Sequence, residues 1–426
     1  MESINNAVLR QKENLQDSLN KLYVKREKFD VAKKWMENDM IKIVIGPRRS
    51  GKSVFSLMLA KDKNFAYLNL DADNLPVLPE HDNYDQLLQA MFAVYGQTKL
   101  LLFDEIQNLP NWELFVNRLQ REGFNVLVTG SNAKLLSKEL ATHLTGRHLP
   151  IEILPFNFKE FLSAKQFIFD TSVCSSTESK GALLKHLRAY MENGGYPELV
   201  MKDFTPVEYL ATLFDSVLFK DVVNRFKVRF AQKMNDLGSY LLNNAGAEFS
   251  SRRLAAILQF KSVSTVEKYL SHLEESYLIF ILNRFSFKTG ERLGLPKKVY
   301  VVDNGYLAAK AVQSSPDNGR LMENLVFDEL LKKGQRPNFD LFYYKTRNNK
   351  EVDFVSRNGI KTTELLQVAY DVSDPAVKNR EVRALLEAGT ELDCGNLTVI
   401  TWDHEESLAV EKQKVEFVPL WKWLLK

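Results

Sequence analysis

"KIVIGPRRSGKSVFSLMLAK", residues 42–61, is an apolar run that stops at a glycine, turns through a short polar loop and restarts as an apolar segment of helical length. That order predicts strand, loop and helix, with "GPRRSGKS" (46–53) at the junction. Its glycines allow the backbone to wrap an anion, and the amides of the loop and helix start would point inward. The stretch expected to enclose phosphates is Gly46, Pro47, Arg48, Arg49, Ser50, Gly51, Lys52, Ser53 and Val54. Lys52 is placed to reach the β- and γ-phosphates, and the Ser53 hydroxyl to join a Mg2+ shell. A glycine turn of no function is the plainer alternative, and the strand and helix on either side weigh against it. Arg48 and Arg49 could face nucleotide or protein, which the sequence does not decide.

Some fifty residues on, "LLLFDEIQ" (100–107) carries four apolar residues out of a sheet and ends in two acids. Asp104 would hold Mg2+, directly or through water, and Glu105 would activate or orient an attacking water. Acids also end strands for solubility, but the upstream loop favours chemistry. The next apolar run ends in "TGSN" (129–132), where Thr129, Ser131 or Asn132 could feel the γ-phosphate or position the water. Arg147 is either a charge-stabilising finger, acting in cis or toward a neighbouring subunit, or an ordinary surface arginine before a strand. Asp71, closing "FAYLNLD" (65–71), reads as a loop anchor or a ligand.

The runs at 42–46, 65–71, 99–105 and 125–131 are separated by helical patterns, as in a parallel sheet with crossover helices. An α/β fold class results. The whole chain of 426 residues is long enough for about two to four domains at roughly 100–200 residues each. A net charge of +3, from 57 basic and 54 acidic residues, rules out a nucleic-acid partner recruited by bulk charge alone. Cys174 and Cys394 form neither a metal spacing nor a disulfide framework. The first residues are polar, and no apolar run approaches the roughly 18 residues of a membrane span, so a cytoplasmic protein without membrane contact is expected. Leu9, Leu15, Leu19, Leu22, Val24 and Trp35 among many charges predict amphipathic helix packed on the next segment of the chain.

The set "GPRRSGKS", "LLLFDEIQNLPNWE", "VLVTGSNAKLL", "LTGRHLPIEILPFNFKEFL" and "GGYPELV" resembles the prokaryotic AAA-type ATPases that carry a C-terminal domain of unknown function. The likeness runs from about residue 20 to 420. It implies a P-loop NTPase core of the AAA+ superfamily, a winged-helix module and a restriction-endonuclease-like last domain. The corresponding boundaries are an N-terminal helical segment (1–40), the ATPase core (41–163), a helical lid (164–235), a winged-helix-like module (236–313) and the last domain (318–426).

Within 236–313, "FSSRRLAAILQFKSVSTVEKYLSHLEESYLI" (249–279) reads as two helices and a tight turn, followed by two strands. From Arg252 to Lys298 nine basic residues face four acids, an excess that could track a phosphate backbone. Against DNA binding, the second helix carries Glu267, Glu274 and Glu275, and its Val266, Tyr269, Leu270, Leu273 and Tyr277 have core spacing.

The last segment, a helix at "RLMENLVFDELLKKG" followed by strands near "LFYYKT", "EVDFVS" and "ELLQVAYD" and then a helix and a strand, resembles the PD-(D/E)xK nuclease fold. That resemblance assigns metal-ligand positions to Glu323, Asp353 and Gln367, and a lysine two residues beyond the last. Ala369 stands there instead. Lys345, Lys350 or Lys361 would have to substitute. Because general acid–base help is worth about 10²–10⁴-fold, a retained scaffold is expected rather than active cleavage.

The expected function is Mg2+-dependent ATP binding and hydrolysis that moves the C-terminal domains, with DNA, a second copy or another protein as partner. An ATP-gated nuclease and a nucleotide switch on DNA without turnover are the alternatives.

Overall fold

The computed structural model describes residues 2–72, 75, 84–131, 146–169, 176–202, 204–310, 317–410 and 413–426. The chain divides into two compact units, residues 1–155 and 156–426.

In the first unit, strands β1 (Ile41–Ile45), β2 (Phe65–Asn69), β3 (Leu100–Asp104), β4 (Asn125–Gly130) and β5 (His148–Glu152) form a sheet in the order β2-β3-β4-β1-β5. Every pairing is parallel, for example Ile45 with Gly130 and Phe103 with Val128. Leu100–Phe103 and Val126–Val128 are fully or almost fully buried, as continuous apolar runs in a parallel sheet covered on both faces should be. Helices α3 (Lys52–Ala60), α4 (Tyr84–Tyr95) and α5 (Trp112–Arg121) are the crossovers. Phe55, Leu59 and Ala60 of α3 join Val44, Leu102 and Leu127 in one core. Each fully buried Leu, Val or Phe contributes roughly 1.5–3 kcal/mol. Parallel pairing with these crossovers brings the carboxyl ends of β1, β3 and β4 to one edge, and the phosphate-loop and acidic residues collect there.

Ahead of the sheet lie α1 (Glu2–Leu19) and α2 (Phe29–Trp35), rather than one amphipathic stretch. The buried face of α1 is Ile4, Ala7, Val8, Gln11 and Leu15, a helical spacing. Leu9 and Leu22, expected in the core, are 46% and 96% exposed. Leu9 falls on the outer face, and Leu22 comes after the helix has ended. Gln11 closes α1 onto the sheet through both of its amide atoms, donating to Asn69 O (3.1 Å) and accepting from Asn69 N (2.8 Å).

The second unit begins with helix Phe158–Ala164, opened by a capping box: Asn157 accepts from Glu160 N at 2.8 Å, and Glu160 accepts from Asn157 N at 3.1 Å. This is the local reason for "PFNFKEFL". Helices Thr177–Asn193, Pro197–Met201, Pro206–Ser216 and Ala231–Asn243 come next, with a wide turn at Val217–Asn224. After them come β6 (Glu248–Phe249), helices Ser251–Ile257 and Val263–Glu275, β7 (Ile279–Asn283) and β8 (Lys297–Val301), with β8 central and antiparallel to both partners. Val266, Tyr269, Leu270 and Leu273 are all buried, so that face of the helix is core, and Tyr277, just beyond its end, is buried too.

The glycine pair of "GGYPELV" is set against Asp303, whose Oδ2 accepts from Gly195 N at 2.7 Å. At Gly194, with φ +78°, a Cβ would lie 1.6 Å from Asp303 Oδ1, so only glycine fits. Helix Asn318–Lys332 then leads into an antiparallel meander of β9 (Leu341–Lys345), β10 (Glu351–Asn358) and β11 (Lys361–Ala369). Helix Pro375–Glu391, capped by Asp374, crosses to β12 (Leu397–Thr401), which lies parallel to β11. Beyond the expected pattern, the chain adds β13 (Glu406–Val410), β14 (Gln413–Pro419) and helix Leu420–Leu424, giving the order β13-β14-β12-β11-β10-β9. Among the described residues no helix is long and apolar enough to cross a membrane.

Candidate functional site

At the end of β1 the chain turns at Gly46, where φ is +146° and a Cβ would stand 2.0 Å from Ile153 O. Only glycine allows the loop to lie this close to the strand end of β5. Gly51, at φ +94°, caps α3 and aims the helix start back across the loop. Arg49 also has a positive φ of 66°, which a non-glycine residue adopts uncommonly. The loop is braced from below by Arg26, whose guanidinium donates to Ser50 O (3.0 Å) and Leu154 O (2.6 Å). Sequence reading missed Arg26, because nothing in "YVKREKF" separates it from its exposed basic neighbours.

Lys52 is buried, and its ammonium donates to Pro47 O at 2.9 Å and lies 4.0 Å from Glu105 Oε1. Ser53 Oγ donates to Asp104 Oδ1 at 2.9 Å. Thr129 Oγ1 also donates to Asp104 Oδ1, and it accepts from Glu105 N at 2.9 Å. Tyr67 completes the ring, donating its hydroxyl to Asp104 Oδ2 at 3.2 Å. The signal for Tyr67 was a polar tip facing β3 from the neighbouring strand, visible only once the β2–β3 pairing is known.

Burial raises the Asp104 carboxyl above its ordinary range, opposed by the Thr129 and Ser53 hydroxyls and by Lys52. Burial also pushes Glu105 upward, but there Lys52, Gln107, Arg48 and Ser131 prevail and the carboxyl sits below the usual range. Glu105 is therefore ionised at neutral pH. Its backbone occupies the left-handed region at φ +53°, a conformation that costs free energy and turns the side chain toward Lys52 and Gln107. Gln107 donates to Glu105 and also to Ser131 Oγ, at 3.4 Å.

These groups fit a nucleotide with Mg2+. The loop backbone leaves no room for a Cβ at Gly46, a hydroxyl and a carboxylate are paired at the metal position, and Ser50 Oγ is buried with no partner among the described residues. Asp71 is not within this ring. It meets Arg48 at 3.4 Å and Asn108 at 3.3 Å, as a loop anchor would. Asn132 lies outside the described residues. Arg147 stands at the far end of the sheet: Ile41 N donates to its carbonyl at 3.0 Å, and Ile41 is the first residue of β1. The length of β1, about 16 Å at 3.3 Å per residue, separates that point from the loop. The guanidinium reaches Asn117 Oδ1 at 3.4 Å, away from the loop of its own chain, which leaves the readings of a surface arginine before a strand and of a finger toward a neighbouring subunit.

The second unit holds a separate cluster. Glu323 and Asp353 converge on Lys298, which the sequence reading counted among the nine basic residues that could track a phosphate backbone. Lys298 Nζ lies 2.8 Å from Glu323 Oε1, 2.7 Å from Glu351 Oε1 and 3.2 Å from Asp353 Oδ1. Tyr300, two residues on along β8, donates to Glu323 Oε1 at 2.7 Å. Gln367 turns its amide away from a ligand role: Oε1 accepts from Asp353 N (3.2 Å), and Nε2 donates to Glu381 Oε2 (2.6 Å). Lys345 pairs with Glu248 (2.8 Å) and Glu351 (3.3 Å), while Lys350 pairs with Glu387 (2.8 Å).

Residues 38–162 match the AAA domain family, and residues 184–317 and 318–423 match two domains of unknown function, DUF8612 and DUF4143. An uncharacterised protein of Methanocaldococcus jannaschii, MJ1544, is 39% identical over 401 residues, which is 90% of this chain and 88% of that one. An uncharacterised protein of Haemophilus influenzae is 31% identical over 376 residues, 84% of this chain and 89% of that one. Among solved structures, the Walker-type ATPase PABY2304 of Pyrococcus abyssi aligns with a TM-score of 0.45 at 12% identity, covering 67% of this chain and 95% of that one. With this extent of identity and an AAA domain over its first sheet, the chain belongs to the same family as the Methanocaldococcus jannaschii and Haemophilus influenzae proteins.

Proposed function

We propose that the chain is a Mg2+-dependent ATPase. The observation that carries this reading is the convergence of Lys52, Ser53, Asp104, Glu105 and Thr129 at the carboxyl edge of one parallel sheet, inside an AAA domain. Lys52, released from Pro47 O, would hold the β- and γ-phosphates. Ser53 and Asp104 would hold Mg2+, which supplies positive charge to the oxygens of the breaking bond. Glu105, ionised and fixed by Gln107, would orient a water toward the γ-phosphorus and take its proton as the bond to the β-phosphate oxygen breaks, leaving ADP and phosphate. Thr129 ties the two acids together, so that metal holder and water holder move as one.

The C-terminal domains are the natural responders to nucleotide state. A winged-helix reading of 236–313 is supported by the order helix, strand, helix, helix, strand, short helix, strand, with one more helix, Asn304–Lys310, after it. A nuclease-like reading of 318–426 is supported by the meander and the parallel β11–β12 crossover. DNA is one partner consistent with the first of these. The test is steady-state ATP hydrolysis by the purified chain with Mg2+, with and without single- and double-stranded DNA, alongside Glu105→Gln. Turnover lost in the variant supports the ATPase. Stimulation by DNA supports a nucleic-acid-coupled one, and indifference to DNA directs the search to protein partners. Binding without turnover would replace the ATPase by a nucleotide switch.

A further inference from the structure

The acid cluster of the second unit has the chemistry of a metal site with its centre already filled. Glu323 comes from helix Asn318–Lys332, and Glu351 and Asp353 from β10. All three turn a carboxylate oxygen toward one point, and the Lys298 ammonium is at that point, within 2.7–3.2 Å of each. The lysine does not come from the same stretch of chain. It projects from β8 and is 1% exposed.

We infer that the Lys298 ammonium is the resident cation of this cluster, standing in the place of a divalent metal and clamping β8 to β10 and to helix Asn318–Lys332. Three observations beyond the distances support it. Two of the three remaining oxygens are engaged: Asp353 Oδ2 accepts from Val368 N at 2.9 Å, and Glu351 Oε2 meets Lys345 at 3.3 Å. The residue in the third ligand position, Gln367, spends both amide atoms on Asp353 N and Glu381. Among the described residues no group of His, Cys, Asp and Glu is arranged to hold a metal.

Electrostatics point the same way. Burial alone would push the Lys298 ammonium down, yet Glu323, Asp353 and Glu351 more than reverse this and keep it charged. Of the three acids Asp353 is the buried one, and burial and the Glu323 charge push its carboxyl up to about 7 against the pull of Lys298; a charge in a low-dielectric interior persists only when paired. Lys298 meets that need without a bound ion. It also explains how Ala369 is tolerated where the nuclease pattern has lysine: a cluster that holds no metal has no metal-bound water to activate.

The experiment is a Mn2+ titration followed by water-proton relaxation, on the full chain as wild type, Asp353→Asn, Lys298→Ala and the double variant, with circular dichroism as the check of folding. Wild type and Asp353→Asn should bind Mn2+ identically, any shared binding belonging to the first unit. Lys298→Ala should melt at lower temperature than wild type, gain a Mn2+ site that the double variant lacks, and recover part of its melting temperature when Mn2+ is added. Wild-type Mn2+ binding that disappears in Asp353→Asn would overturn the inference, as would Mg2+-dependent DNA cleavage lost in that variant. A folded Lys298→Ala that gains no site would overturn it too. If Lys298→Ala does not fold, the comparison of wild type with Asp353→Asn still decides.

Discussion

The Lys52 ammonium and the Glu105 carboxylate lie 4.0 Å apart, with Lys52 also bonded to the carbonyl of Pro47 in its own loop. One lysine therefore latches the loop and lowers the carboxyl opposite it. Lys52→Ala should cost more than a phosphate contact, because Glu105 loses its main stabilising charge at the same time. Isothermal titration with ATP and Mg2+ should show affinity reduced by at least about tenfold, the equivalent of about 1.4 kcal/mol, and wild-type affinity would contradict the phosphate role.

Glu105→Gln separates binding from chemistry. Glutamine keeps the shape and can still bond Gln107, but it cannot accept a proton. Turnover should fall by about 10²–10⁴-fold while ATP affinity changes little. A variant that hydrolyses ATP normally would remove Glu105 from the chemistry.

Thr129 offers a finer test. Its hydroxyl donates to Asp104 and accepts from the amide of Glu105, so it fixes the two acids relative to each other without touching ATP in the proposed mechanism. Thr129→Val should lower kcat with a much smaller change in KM, and Thr129→Ser should restore most of the rate. Equal loss in both variants would mean that the methyl packing matters and the hydroxyl does not.

Local pattern carried the first unit well and the second less far, for physical reasons. β1, β3 and β4 are continuous apolar runs ending in glycine or acid, and each lies within a residue of where the sequence placed it. Lys52 and Ser53 were legible because they open a helix after a glycine loop, and Asp104 and Glu105 because they end a strand. Tyr67 and Arg26 were not, since their roles depend on which strands and loops become neighbours. The two readings of Arg147 stayed open for the same reason: "before a strand" does not say which end of the sheet that strand start occupies, and parallel pairing puts it at the end opposite the loop. Lys298 is the clearest case. As a count it belonged to a basic excess that could track phosphates, but on β8 it shares the inward face with Tyr300, and a lysine at an inward strand position signals a buried acid awaiting it.

Asp303 ties the "GGYPELV" turn to the chain after β8, accepting from Gly195 N at 2.7 Å and Gly305 N at 2.9 Å. Burial pushes its carboxyl up to about 6, against those bonds and the charge of Lys332. The unfolded value is about 3.9. Because the folded value is the higher one, folding favours the protonated form. The contribution is complete below about pH 4 and is lost as pH rises through about 6, amounting to roughly 3 kcal/mol for a rise from about 3.9 to about 6. Asp303→Asn cannot titrate, and one of its amide groups would face a backbone N–H, so it should carry a constant penalty with no such slope. Urea unfolding of wild type and Asp303→Asn at about pH 5 and about pH 7.5 should show the wild-type advantage shrinking toward the higher pH. An advantage that is flat or grows with pH would mean that the carboxyl is ionised throughout, held by the two glycine amides more strongly than burial opposes it.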